Sequence, residues 1–331
     1  MAEYINIKGQ NIEVVASDPS NPTLGQIWYN TTSQTLKGLG ATTIGAWTSA
    51  SAMSIGRGYF GAAGIQNAAL AIAGETSVPV VVETEEYNGT SWTGGGNLPV
   101  AKNQNNALGL QTAALNVAGN TGSYASTCEE YDGTSWTAGG SVITAMVSTQ
   151  TAGTQTAGLA AGGRLSSPSP ESAVTQEYNG TSWTPSGNLT TARGMGGGAG
   201  TQTAALAFGG GSPAPAGTAT EEYDGTSWTA GGSLNITKSQ TGGFGTQTSA
   251  VNFAGNPYPS PSSTSTEEYN GTTWATSGSY PVGRFAVAGA GTQAAGLGMG
   301  GQSSSGPPYN STATNEFTGS GVAVTVTITG T

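Results

Sequence analysis

The sequence contains no histidine in 331 residues. Ser–His hydrolysis, Cys–His nucleophiles and His-ligated zinc or copper are therefore excluded. A single cysteine, Cys128, cannot form an intrachain disulfide, so stability must come from packing. Only eight residues are Lys or Arg, they are scattered, and the net charge is -10. Phosphate binding needs clustered cations, so no nucleic-acid partner is expected, and anionic membrane surfaces are disfavoured for the same reason. No stretch approaches about 18 consecutive apolar residues, so no membrane span is expected. The N-terminus lacks a basic region followed by an apolar one, so no secretory signal is expected. Apolar residues make up only 35%. Disordered chains, however, are usually charged and poor in aromatics. Here seven Trp and twelve Tyr recur at regular spacing among 55 Gly.

That spacing is an internal repeat. Trp47, Trp92, Trp136, Trp183, Trp228 and Trp274 are separated by 44 to 47 residues. A glutamine follows each by 19 residues: Gln66, Gln111, Gln155, Gln202, Gln247 and Gln293. Tyr87, Tyr131, Tyr178, Tyr223 and Tyr269 each stand five residues before a tryptophan, in segments reading EYNGTSW, EYDGTSW or EYNGTTW. Asn-Gly or Asp-Gly between apolar strands predicts a two-residue type I′ hairpin. In that register Tyr87 pairs with Thr90 and Glu85 with Trp92, leaving Tyr87 and Trp92 as diagonal neighbours. Each repeat then reads as four antiparallel strands: a Gly/Ala-rich strand before the glutamine, an alternating strand after it, a strand ending in Glu-Tyr, and the Trp strand. Four such strands per 40 to 50 residues describe one blade of a propeller. Small side chains place the first strand nearest the axis.

A glycine-rich strand end, followed by an aromatic five residues before a tryptophan, resembles the kelch repeat over roughly residues 44 to 317. The glycine doublet is complete in AAGG, AFGG and GMGG and reads AGE or AGN in the other repeats. The resemblance implies an all-β fold, a six-bladed kelch-like β-propeller, and a binding role. Kelch-type copper oxidases need histidine ligands, which are missing. The last repeat ends at Glu316-Phe317 with Val322 in the Trp position, while Trp47 has no hairpin ahead of it. A basic residue lies ten positions after a repeat Trp in five cases: Arg57, Lys102, Arg193, Lys238 and Arg284, with Met146 the exception. Trp47 obeys this rule through Arg57, so it is expected to supply the fourth strand of the last blade and close the ring.

Glu86, Glu130, Glu177, Glu222, Glu268 and Glu316 each precede the repeat aromatic. A carboxylate dyad for hydrolysis would occur at one place, not six. These residues, with the six tryptophans, are therefore read as structural, capping backbone donors or pairing with the basic position. The glutamines are read as satisfying loop backbone groups. Cys128 fills a slot held elsewhere by Thr84, Thr175, Thr220, Thr266 and Thr314 and reads as a small packed residue. No catalytic residue, metal ligand or cofactor is expected.

Length varies only between the second and third strands of each repeat, which antiparallel order gathers on one face. Variable loops on a rigid scaffold are the usual arrangement for recognition. Tyr124, Arg164, Tyr258 and Tyr309 on these loops are the candidate ligand-binding residues. Three segments are expected: 1–43 as an N-terminal β extension for attachment, 44–322 as the propeller, and 323–331 as a C-terminal strand that covers a blade edge or pairs with a neighbouring subunit. Within the first, GQIWYNTTSQTLKG reads as a hairpin turning at TTSQ. It resembles a segment of tail-fibre and other virion proteins of tailed bacteriophages. That resemblance implies a non-enzymatic virion structural or adhesion protein. Its N-terminal segment would contact other virion proteins or copies of itself, and its loop face a host-surface glycan or protein. The alternative is a soluble kelch-type interaction module or a bacterial cell-surface binding protein.

Overall fold

The computed structural model describes residues 12–41, 44–76, 79–165, 171–211, 216–257, 262–303, 309–321 and 323–328. The described residues form strands and turns, with one 3-10 turn at Ala216–Thr218. The chain divides into two units, residues 46–318 and the two ends, 1–45 with 319–331.

The larger unit consists of six four-stranded antiparallel sheets, an architecture consistent with a β-propeller. Sheet 1 runs Gly61–Ile65, Ala68–Ile72, Thr84–Tyr87 and Trp92–Gly94. Sheets 2 to 5 repeat this order over 106–138, 150–186, 197–230 and 242–277. Sheet 6 takes three strands from 288–318 and its fourth from Ala46–Ala50, with Trp47 opposite Phe317. This is the closure that the register through Arg57 predicts.

The first strands are Gly61–Ile65, Asn106–Leu110, Gln150–Thr154, Gly197–Thr201, Gly242–Thr246 and Ala288–Gly291. They neighbour one another in chain order, and the sixth returns to the first. They enclose a central channel lined largely by Gly, Ala and Thr. The apolar core is divided among the interfaces between sheets. One cluster joins Leu70 and Ile72 of sheet 1 to Tyr131 and Trp136 of sheet 2. Another joins Leu297 and Met299 of sheet 6 to Ala69 and Tyr87 of sheet 1.

Two local expectations are corrected. The EYNGTSW hairpin has a four-residue loop, so Tyr87 stands directly opposite Trp92 and Glu85 opposite Gly94. The cause is the Asx side chain. Asn88 Oδ1 accepts from the Thr90 and Ser91 amides at 3.0 and 2.9 Å, which only the longer loop presents to it. Asp132 Oδ1 accepts the equivalent pair, both at 2.8 Å, so Asn and Asp are interchangeable here. The glycine doublet, in turn, is present in every repeat as a conformation. Ala73, Ala118 and Ala254 stand in the first position with φ of 53–58°. The second is always Gly, at φ 76–119°, where a Cβ on Gly74 would lie 2.5 Å from Phe60 Cβ.

In the end unit, Ile27–Asn30 pairs with Thr35–Ala41, turning at TTSQ as expected. Glu13–Val15 adds in parallel to Ile27–Asn30. Ala323–Thr327 pairs antiparallel with Thr35–Ala41. The C-terminal strand thus completes the N-terminal hairpin; the outer place in sheet 6 is already filled by Ala46–Ala50. Asp18 ties this unit together, accepting from Trp28 Nε1 at 3.0 Å, Asn30 Nδ2 at 2.7 Å and Lys37 Nζ at 2.7 Å. These donors hold its carboxyl down at about 2.

Candidate functional site

The recurring polar residues join neighbouring sheets. Each repeat glutamine donates its side-chain amide to two backbone carbonyls of the preceding sheet. Gln111 Nε2 reaches Ala69 O and Tyr87 O at 3.0 and 2.7 Å, and Gln66 closes the circle onto Gly296 O and Phe317 O at 3.1 and 3.0 Å. The expected role in satisfying backbone groups is served across the interface, on the neighbouring sheet. Tryptophan Nε1 donates to a threonine Oγ1 on the third strand of the preceding sheet. Trp136 reaches Thr84, Trp228 reaches Thr175, Trp274 reaches Thr220, Trp47 reaches Thr266 and Trp92 reaches Thr314, at 2.9–3.0 Å. Trp183 faces the Cys128 slot and donates to Gly140 O at 2.9 Å. Cys128 is buried, which pushes its thiol up to about 11. It behaves as a packed small residue, not a poised thiolate.

The repeat glutamates accept from the tyrosine of the following sheet. Tyr131 Oη donates to Glu86 at 2.5 Å, Tyr178 to Glu130 at 2.6 Å, Tyr269 to Glu222 at 2.6 Å and Tyr87 to Glu316 at 2.9 Å, and Tyr223 likewise to Glu177. Glu268 faces the repeat whose aromatic is Phe317, and accepts from Ser277 Oγ instead. In four repeats, pairing with the basic position belongs to the residue before this glutamate. Arg57–Glu85, Lys102–Glu129, Arg193–Glu221 and Lys238–Glu267 are buried ion pairs at 2.6, 2.9, 2.5 and 3.6 Å. The strand alternates sides at each residue, so one carboxylate enters its own sheet's loop region and its neighbour faces the next sheet.

The three described residues among the expected ligand residues belong to three different sheets. Tyr124 opens the third strand of sheet 2, half-buried opposite Asn120. Arg164 lies in the loop of sheet 3, bridges to Val147 and Glu171, and places Nε 3.7 Å from Glu171 Oε1. Tyr309, 53% exposed, belongs to the loop of sheet 6. Tyr258 lies outside the described residues.

What converges is the channel mouth on this loop face. Tyr59, Gln104, Ser148, Met195, Gln240 and Ala286, one just ahead of each first strand, all adopt left-handed backbone at φ 52–63°. Each amide donates to the carbonyl of the residue before it in this set. The distances are 2.7, 2.8, 2.9, 2.6 and 2.8 Å, and Tyr59 N closes onto Ala286 O at 3.1 Å. The result is a closed circle of six backbone hydrogen bonds around the axis. Gln240 Nε2 donates to Tyr59 Oη at 2.6 Å. Burial first, and Glu75 second, push the Tyr59 hydroxyl up to about 12. These positions were not singled out from the sequence. Their spacing is constant, twelve residues after each repeat Trp, but five different residue types fill the six positions.

No family model matches this chain, and no curated protein matches it in sequence.

Proposed function

We propose that residues 46–318 are a six-bladed, kelch-like β-propeller acting as a non-enzymatic binding scaffold of a virion, with the loop face as its recognition surface. The observation that carries this reading is how the polar side chains divide. Those that recur hold the frame, joining neighbouring sheets or pairing and capping within one. Those that differ between repeats, including Arg164, Tyr309 and the mouth residues Tyr59, Gln104 and Ser148, lie at the loop face. A rigid frame with varied chemistry at one end suits recognition. The end unit supplies attachment to other virion proteins or to further copies of the chain, in line with its resemblance to phage virion segments.

Both halves are tested by comparing the full chain with a fragment spanning 46–318 in particle co-sedimentation and analytical ultracentrifugation. The full chain is expected to assemble and the fragment to remain a folded monomer. Exchanging the sheet 3 loop, 162–174, in the full chain should leave assembly intact and change attachment to a bacterial surface. A fragment that assembles as the full chain does would favour the soluble interaction module instead.

A further inference from the structure

The cation ten places after the repeat Trp varies together with a residue of the second strand. In the arginine sheets 1, 4 and 6, that strand sets Ala71, Ala207 and Gly298 opposite Glu85, Glu221 and Asn315. In the lysine sheets 2 and 5 the place holds an asparagine, Asn116 opposite Glu129 and Asn252 opposite Glu267. Lys238, Asn252 and Glu267 of sheet 5 have no exposed surface. Lys238 Nζ lies 3.0 Å from Asn252 Oδ1, an atom one bond from the amide carbon. It also lies 3.2 Å from Ser265 O and 3.6 Å from Glu267 Oε1. Asn235 N and Nδ2 hold the other carboxylate oxygen at 2.7 and 2.8 Å, whereas Glu267 Oε1 and Asn252 Nδ2 have no hydrogen-bond partner. The Thr241 hydroxyl stands 2.9 Å from Asn252 Oδ1, with Gly242 O and Phe253 O as its other acceptors. Burial lowers the Lys238 ammonium to about 8 against the pull of Glu267, which brings the neutral, nucleophilic amine within reach.

We infer that Lys238 and Asn252 become joined by an isopeptide bond, with Glu267 carrying the protons. The Lys238 ammonium passes a proton to Glu267, and the freed amine attacks Asn252 Cγ. The Nζ–Cγ bond forms while negative charge gathers on Oδ1, where the Thr241 hydroxyl can donate. Glu267 gives its proton to Nδ2 and takes another from Nζ. The Cγ–Nδ2 bond then breaks, and ammonia leaves with that last proton as ammonium. No oxidant, reductant or outside reactant enters. Holding amine and amide together in a site closed to water replaces a bimolecular encounter. Sheet 2 has the same residue types in another arrangement. Lys102 Nζ lies 2.9 Å from both Glu129 oxygens, Glu129 also holds Asn116 Nδ2 at 2.9 Å, and Asn105 Nδ2 occupies Asn116 Oδ1 at 2.6 Å. That lysine is set at the carboxylate and not at the amide, so the bond is assigned to sheet 5 alone. This inference does not depend on the proposed binding role.

The test uses the full chain, purified, then denatured, digested with trypsin and read by mass spectrometry. Trypsin does not cut after an acylated lysine. Residues 194–284 should therefore appear as one peptide, uncut at Lys238 and lighter than its sequence by one ammonia, while Lys102 is cut. A succinimide at Asn270-Gly271 would also lose ammonia, but it leaves Lys238 open to trypsin. Asn252→Ala copies the residue of sheets 1 and 4, and Glu267→Gln copies Gln176 of sheet 3, so both should fold, as checked by circular dichroism. Both should also be cut at Lys238 and keep the full sequence mass. The inference is overturned if the parent chain is cut at Lys238, if Lys102 resists equally, or if the loss of ammonia with an uncut Lys238 persists in either variant.

Discussion

Sheet 3 shows what the buried ion pairs of the other sheets replace. Met146 and Gln176 stand where sheet 4 holds Arg193 and Glu221, and Gln176 Oε1 accepts from Ile143 N at 2.6 Å. The corresponding Thr190 amide of sheet 4 donates to Glu221 at the same distance, 2.6 Å. The amide therefore preserves the loop cap without a charge, and methionine fills the space of the cation. Breaking a buried pair leaves one charge uncompensated, whereas replacing both partners does not. Glu221→Ala should thus lose about 3–5 kcal/mol in urea denaturation, while Arg193→Met with Glu221→Gln should stay within about 1 kcal/mol of the parent. An additive double variant would contradict this account. Sheet 6 shows the half-changed case. Asn315 replaces the acid, its Nδ2 donates to Tyr280 Oη at 3.1 Å, and Arg284 is left half-buried with its pKa lowered by that burial.

At the level of elements, the contact between neighbouring sheets is a repeated aromatic hairpin. Tyr and Trp face each other across it with ring centroids 4.7–5.0 Å apart. The tyrosine hydroxyl then reaches the glutamate of the preceding sheet. Burial and that carboxylate push Tyr87, Tyr131, Tyr178, Tyr223 and Tyr269 from 10.0 to about 12. A raised tyrosine pKa means the fold favours the neutral form. Its contribution is complete below pH 10 and is lost as pH rises through the interval up to about 12. Stability measured by denaturant should therefore fall between those values, with phenolate absorbance appearing late and together with unfolding. Tyrosines titrating near pH 10 in the folded protein would refute the coupling. The pairing of Tyr with Trp was legible from their fixed spacing. The register was not, because a two-residue and a four-residue loop fit the same letters until the Asx side chain finds its amides.

Across the whole larger unit, six equivalent interfaces close only if the strand Ala46–Ala50 joins Thr314–Thr318. Trp47 enters a denser aromatic cluster than its counterparts, with centroids 4.9 Å from Phe253, 4.9 Å from Tyr280 and 4.8 Å from Phe317. A fragment of 46–318 keeps this strand and should unfold in one cooperative transition. A fragment beginning after residue 50 loses the closing strand and Trp47, and should be destabilised by more than about 3 kcal/mol. Equal melting temperatures for the two fragments would show that closure contributes little.

The sequence by itself determined the all-β class, the strands of each repeat and the loan of Trp47 to the last one. These follow from periodicity, which local chain geometry turns directly into strands and turns. The tertiary structure alone decided which partners the repeated side chains would meet. Gln111 looks like a turn residue until sheet 1 stands beside it, and adjacent glutamates look alike until the pleat sends Glu85 to Arg57 and Glu86 to Tyr131. The channel mouth was hidden for the same reason. Tyr59, Gln104, Ser148, Met195, Gln240 and Ala286 share a backbone conformation and not a chemistry, and backbone bonds between residues some 45 positions apart exist only once the ring has closed.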